Sequence, residues 1–314
     1  MKDNKQLLVR AAQLYYDAGL NQSDIATILD VSRPTVSRLI EKAREEGVVE
    51  ITVHDPISKD PELSNALRDK LGLRDAVVIT GDYHYEKALE RCCEAAIQFL
   101  ETILQDGYTI GIPWGMVPQI ICDKIDLKKF ENLSVTQMVG CLGTGDTNVD
   151  GIKMAIRLAN KLGGTYYNIY SPIYVHNKEV SEYLLQEPPI AATLERAMNT
   201  DVIVTGIGSV DSKSTIMKAG FWHDEDLQEL LDMGVAGHLL GRTYDINGEL
   251  LERRNVYLVG APLQALKNTK WSIGVAAADI KSRATIGAVR GGYINVLIAD
   301  QHLAKEILNL WDTV

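Results

Sequence analysis

A chain of 314 residues, 46 % hydrophobic and 24 % charged, suits a soluble globular protein with one small and one large domain, or a single large α/β domain. A formal net charge of −10 argues against a nucleic-acid partner for the chain as a whole, but the first 48 residues balance seven basic against seven acidic side chains, so the excess lies beyond them. The four cysteines (adjacent Cys92 and Cys93, isolated Cys122 and Cys141) form no C-x-x-C or Cys/His spacing, which excludes a zinc ribbon or finger and fits reduced thiols in a cytoplasmic core.

In chain order, Leu7, Ala11, Leu14 and Tyr15 share one helical face, and Gly19 stops that helix. A short helix is predicted from Gln22 to Leu29 and a longer one from Ser32 to Glu46, closed by Gly47. Val48–Val53 alternates and is β-branched, which predicts a short strand. Asp55-Pro56-Ile57-Ser58-Lys59-Asp60-Pro61 carries two prolines and several turn formers, and marks a linker. The expected division is therefore a domain over 1–54, a linker over 55–61 and a domain over 62–314. Strands are predicted at Ala76–Thr80, Thr109–Ile112, Val135–Val139, Thr165–Ile169, Val202–Gly206, Ser272–Ala277 and Tyr293–Ile298. Helical patterns at Glu86–Leu104, Met116–Ile125, Val149–Lys161 and Asp224–Leu231 lie between several of them. Such alternation means βαβ units around a largely parallel sheet. No apolar run approaches the roughly 18 residues of a membrane helix, and the N-terminus lacks a signal-peptide core, so a cytoplasmic protein is expected.

The segment Gln22–Glu41 has the physical pattern of a helix-turn-helix. Ala26 is small and lets two helices approach, while Asp30 stands at the tight turn, where a left-handed backbone is needed. Ile25, Leu29, Val31, Val36 and Leu39 are the apolar positions that pin helix to helix. Ser32 is the N-cap candidate, and Pro34 falls in the first turn, where a missing N–H costs little. Residues 31–44 hold four basic side chains against one acidic. Ser32, Arg33, Thr35, Ser37 and Arg38 would meet a major groove, with Lys42 and Arg44 toward phosphates. An ordinary helical hairpin with a charged face is the plainer alternative. Double-stranded operator DNA is the partner this pattern points to, and one such motif covers a half-site, so a homodimer or homotetramer is expected.

Four loops follow predicted strands, where open α/β sheets bind ligands. They are Pro113-Trp114-Gly115-Met116, then Gly140-Cys141-Leu142-Gly143-Thr144-Gly145-Asp146, then Gly206-Ile207-Gly208-Ser209, and last Asp279-Ile280-Lys281. Backbone N–H groups at such strand-to-helix turns suit an anion. Each glycine also has a plainer use as a turn requirement. Trp114 suits either stacking on a sugar face or core packing. Gly143-x-Gly145 alone is a weak sign of a nucleotide switch.

Leu14-Tyr15-Tyr16, the stretch Ser32–Ile40, Gly111-Ile112-Pro113-Trp114-Gly115 and Gly291-Gly292-Tyr293-Ile294-Asn295-Val296-Leu297 together resemble the SorC family of sugar-responsive transcriptional regulators. The resemblance spans nearly the whole chain. It implies an α/β fold class: an N-terminal all-α helix-turn-helix domain followed by a Rossmann-like parallel-sheet sugar-binding domain, similar to phosphosugar isomerases and glucosamine-phosphate deaminases but without catalysis. The implied effector is a sugar or sugar phosphate that changes operator binding, with no cofactor, no metal and no membrane. By this resemblance the effector contacts are Trp114, Gly115, Met116, Gly140, Cys141, Gly143, Gly208, Ser209, His238 and Lys281, with Lys281 matching a lysine that pairs with the phosphate. His238 stands where the family has an aspartate, which alters hydroxyl recognition and opens a route to pH sensitivity. Val139 stands where some members carry a Schiff-base lysine, which argues against covalent capture. The competing possibility is a phosphosugar isomerase or deaminase with an appended DNA-binding domain, using Asp146, His238 or Asp245 for acid–base work.

Overall fold

The computed structural model describes residues 2–51, 57–143, 150–212 and 214–314. The chain divides into two compact units, Met1–Pro56 and Ile57–Val314.

In the first unit, α1 (Lys2–Ala12) runs into one π-helical turn over Gln13–Asp17, where the Ala18 N–H reaches back to the Gln13 carbonyl. Gly19 follows at φ 65°, a left-handed position that ends the element. Asn21 caps α2 (Gln22–Leu29) by accepting from the N–H groups of Ser23 and Asp24. Asp30 adopts φ 52° and ψ 48°, the left-handed turn expected of it. α3 (Arg33–Glu45) starts behind Ser32, whose hydroxyl accepts from the Thr35 N–H. Leu14, Ile25, Val36 and Ile40 form one small core, and Leu8, Ala11, Leu39 and Ala43 a second. The spacing of Val36, Leu39, Ile40 and Ala43 keeps one face of α3 inward. One expectation fails here. Residues 48–51 are not a strand, because the Val48 and Val49 N–H groups both donate to the Ala43 carbonyl, at 2.8 and 3.0 Å, and finish α3. Thr52 and Val53 lie outside the described residues.

The second unit begins inside the stretch expected as a linker. Residues 52–56 are outside the described set, but Ser58 and Asp60 already belong to the sheet margin. The Thr80 N–H donates to Ser58, and the Asp60 N–H to Val78. The Asp60 carboxylate then caps α4 (Pro61–Leu71) through the Leu63 N–H at 2.9 Å. There follow β1 (Asp75–Ile79), α5 (Tyr85–Ile103), β2 (Thr109–Ile112), α6 (Met116–Lys124) and β3 (Ser134–Gln137). Next come α7 (Gly151–Leu162), β4 (Thr165–Tyr167), β5 (Tyr174–Val175), α8 (Lys178–Gln186) and α9 (Pro188–Met198). The chain continues through β6 (Val202–Gly206), α10 (Thr215–Lys218), α11 (Asp224–Asp232), β7 (Gly237–Leu239), β8 (Arg242–Tyr244), β9 (Leu250–Leu251) and β10 (Tyr257–Leu258). It ends with α12 (Gln264–Asn268), β11 (Trp271–Ala276), α13 (Ser282–Arg290), β12 (Val296–Asp300) and α14 (Gln301–Leu310).

Seven strands form one parallel sheet in the order β1-β12-β11-β6-β2-β3-β4. Two hydrophobic cores cover its faces. One packs α5, α6 and α7 through residues such as Leu89, Leu100, Ile121 and Met154. The other packs α4, α13 and α14 through Leu67, Leu71, Ile286 and Ile307. Both faces being covered explains why β12 is buried at every position rather than alternating. β2, β3 and β4 wind outward in one direction, whereas β6, β11 and β12 wind in the other. The junction of β2 and β6 is therefore a switch point, where the loops after neighbouring strands part and leave a crevice. A small antiparallel sheet, β7-β8-β9, and the pair β5-β10 stand apart from the main sheet.

Candidate functional site

Two places bring the sequence-predicted residues together. On the first unit, Arg33, Ser37, Arg38, Lys42 and Arg44 are all exposed on α3, whereas its Val36, Leu39, Ile40 and Ala43 are buried. Lys42 spends part of its charge on Glu46, 3.5 Å away. Ser32 and Thr35 are partly committed to the helix itself, since their hydroxyls meet at 2.8 Å in the cap. They fix where α3 starts, and so where Arg33 and Arg38 point. Ile40, Leu14 and the α1 positions Leu8 and Ala11 complete the packing, which the five apolar positions read from sequence did not include.

On the second unit, a cleft opens at the carboxyl ends of β2, β6 and β11, at the switch point. Three of the four predicted loops meet there. The first supplies Trp114, Gly115 and Met116. Gly115, at φ 126°, is the N-cap of α6 and carries no capping side chain, so the first-turn N–H groups of Met116 and Val117 have no intrahelical partner. Trp114 is half-buried and packs against Phe221 at 6.4 Å between ring centroids, so it serves as wall and core at once.

The third and fourth loops meet through side chains. The Lys281 ammonium donates to the Ser209 hydroxyl at 2.8 Å, and that hydroxyl bonds the Asp211 carboxylate. Burial lowers the Lys281 pKa, and the Asp211 charge pulls it back. Lys281 reaches this place because Ala278 turns the chain sharply after β11. Ala278 sits at φ 70° and ψ 146°, a region costly for any residue with a Cβ. Its N–H is held by the buried Asp300 carboxylate at 3.2 Å, which also caps α14.

His238 faces Gly208 across the cleft floor, where their backbones exchange two hydrogen bonds of 3.1 and 2.9 Å. Gly208 is needed for room, because a Cβ there would stand 2.0 Å from the imidazole Nε2. The Nε2 atom is buried without a hydrogen-bond partner, and so is the Ser214 hydroxyl on the opposite lip. Burial first, and the Lys281 charge second, push the His238 pKa down to about 3, against a smaller upward pull from Asp211. The imidazole is therefore neutral throughout the physiological range, which removes the pH switch that a histidine here suggested. The structure predicts instead an acid sensitivity of folding. Unfolded histidine titrates near 6.5, so between about 6.5 and 3 the unfolded chain takes up a proton that the native site refuses, and stability falls with pH. Between pH 7 and 5 the wild type should lose about 2 kcal/mol more than His238→Gln, measured by urea unfolding at both pH values. Equal losses would show that the imidazole titrates freely in the native state.

The second predicted loop does not line the cleft among the described residues. Gly140 is pressed against the backbone of Ser171 and Pro172, where a Cβ would stand 2.6 and 2.7 Å from their carbonyl oxygens. The Cys141 thiol points to the Ile169 carbonyl at 3.3 Å, and burial raises its pKa. Gly143 is at φ 67°, and residues 144–149, with Asp146 among them, fall outside the described set. Sequence reasoning missed Tyr85, Thr205, Asp211, Ser214 and Thr215. Tyr85 opens α5 on the cleft wall, where burial and then the Asp211 charge raise its phenol pKa. The one available signal was the Ser209-x-Asp211 pair directly after a predicted strand.

Residues 55–309 match the family model described as "Putative sugar-binding domain", and residues 4–50 match a homeodomain-like domain. The deoxyribonucleoside regulator of Bacillus subtilis (strain 168) is 28 % identical over 310 residues, covering 98 % of this chain and 99 % of that one. The sorbitol operon regulator of Klebsiella pneumoniae is 26 % identical over 310 residues, 98 % of each chain. The crystal structure of the full-length sorbitol operon regulator SorC from Klebsiella pneumoniae matches at a TM-score of 0.71 and 26 % identity, over 98 % of this chain and 100 % of that one. With a helix-turn-helix ahead of a doubly wound sugar-binding sheet, the chain belongs to the SorC-type family of sugar-binding transcriptional regulators.

Proposed function

We propose that the cleft at the ends of β2, β6 and β11 binds a phosphorylated sugar, and that its occupancy changes operator binding by α3. The observation that carries this reading is the set of unsatisfied polar groups meeting in one crevice. The His238 Nε2 and the Ser214 hydroxyl are buried without partners, and Lys281 brings a positive charge beside them. Buried polar atoms without partners are costly, and ligand hydroxyls would satisfy them. An ammonium beside uncapped α6 N–H groups suits a phosphate. The relatives named for sorbitol and deoxyribonucleoside regulation support a carbohydrate effector.

The DNA contacts assigned to this helix are Arg33, Thr35, Ser37 and Arg38 toward bases, with Ser32 and Lys42 flanking. The domain roles follow: residues 1–54 bind DNA and the sheet domain senses the effector. A homodimer or homotetramer pairs two such helices on a symmetric operator. No helix among the described residues is long and apolar enough to cross a membrane. The proposed DNA binding supports a cytoplasmic protein.

The same cleft argues for sensing without turnover. His238, its pKa pushed down to about 3, is a weak base and lacks the imidazolium proton of a general acid at neutral pH. Asp245 is occupied in a turn, accepting from the N–H groups of Asn247 and Glu249. A thermal-shift screen of sugars and sugar phosphates tests the reading. A ligand at a hundred times its Kd adds about 2.7 kcal/mol and should raise Tm by roughly 5–10 °C. The same panel incubated with the protein should give no isomerised or deaminated product. A panel without any stabilising sugar phosphate would contradict the effector assignment, and turnover would contradict the sensor.

A further inference from the structure

A second cavity lies beside the cleft, between α8, the β8–β9 hairpin and the β5–β10 pair. It is the roomier of the two, about 250 Å³ against about 80 Å³. Two arginines line it. Arg242, on β8, donates only to the backbone carbonyls of Ala261 and Gly260, at 3.4 and 3.3 Å, and makes no ion pair among the described residues. Arg253 is held at one end by Asp226 and Glu229, yet its Nε is buried without a partner. The nearest acidic wall residue is the exposed Glu252. Burial lowers the Arg242 pKa, the mark of a cation withdrawn from water without a counter-charge at contact distance.

Those observations fit one chemistry. A guanidinium half withdrawn from solvent, tied only by long bonds to carbonyls, gains most from an oxyanion that takes two of its N–H groups at once. The unclaimed Arg253 Nε offers a further donor on the same wall. Tyr174 is not a competing donor, since its hydroxyl is already given to the Gly241 carbonyl at 2.8 Å. We propose that this cavity is a second ligand site, separate from the sugar cleft, for a small oxyanion such as a phosphate or carboxylate group. Gly241 lines both cavities, and Trp222 lines the second while its indole meets His238 edge-on at 4.9 Å. The two sites are thus neighbours across a shared wall.

Inorganic phosphate and selenate are the probes. Crystals of the whole chain soaked in selenate should show an anomalous peak within hydrogen-bond reach, about 3 Å, of the Arg242 guanidinium. In solution, Lys281→Ala removes the cleft's own anion anchor. On that background phosphate should still raise Tm in a saturable way, and adding Arg242→Gln should weaken that response about tenfold or more. Arg242→Lys should restore part of it, because it keeps the charge and loses the fork. Selenate found only beside Lys281 or nowhere in the second cavity, or a phosphate response unchanged by Arg242→Gln, overturns the proposal. Should Arg242→Gln fail to fold, the selenate map of the wild-type protein decides alone.

Discussion

Replacing Arg33 and Arg38 together with Ala is expected to lower operator affinity by about thirty- to twenty-thousand-fold while leaving folding and sugar binding intact. The magnitude follows from two base-edge contacts at roughly 1–3 kcal/mol each. Intact folding follows from exposure: both side chains stand clear of the Val36, Leu39, Ile40 and Ala43 face, and neither makes an ion pair among the described residues. Lys42→Ala should behave differently. A phosphate contact sets affinity without sequence preference, so its loss should weaken all duplexes alike and reduce the salt slope by about one. Fluorescence anisotropy on a duplex selected from a random pool, at several salt concentrations, separates the two classes. Unchanged affinity in the double arginine variant would move the DNA contact off α3.

Lys281→Ala is expected to weaken a phosphorylated effector by about thirty-fold or more and its unphosphorylated counterpart far less. A charge-assisted bond in a partly buried site is worth about 2–5 kcal/mol when one partner is removed. The ammonium is already positioned by Ser209, and Asp211 holds Ser209 in turn, so the charge is aimed before the ligand arrives. Calorimetric titration of both ligand forms into both proteins reads the difference directly. Equal loss for the two forms would mean that Lys281 does not read phosphate.

The two halves of the molecule were legible to different degrees for physical reasons. The helix-turn-helix is built from local rules: a capping Ser32, a left-handed Asp30, and apolar residues spaced for one face. Each is visible within a few residues, so α2 and α3 were placed to within a residue or so. The parallel strands were visible as short apolar runs, and β2 and β6 were bounded correctly. Several helices were not visible. α13 is only nine residues long and is built on Ala284, Gly287 and Ala288, and a glycine within so short a segment weakens the local helical signal. α4 begins at Pro61, which reads as the end of a linker until Asp60 is seen to cap it. Val48 and Val49 have strand-forming side chains, but their N–H groups serve the end of α3.

The cleft divides in the same way. Loops after strands could be named from the chain, because the sheet's geometry sends them to one edge. Which of them turn inward depends on packing. Gly140 resembles a ligand-binding glycine in sequence, yet its lack of a side chain serves contact with Ser171 and Pro172. Gly208 is also a packing glycine, but the group it admits is His238, a wall of the cleft. Tyr85 and Ser214 carry no local signal, since only the tertiary fold brings α5 and the start of α10 to the same opening.

The most direct test of the account is operator affinity of the wild-type chain with and without the sugar phosphate that raises its Tm, repeated with Lys281→Ala. The account predicts a ligand-dependent change in wild-type affinity that Lys281→Ala shows only at much higher ligand concentration. An operator affinity indifferent to a ligand that demonstrably binds, or a change of equal sensitivity in both proteins, would contradict it.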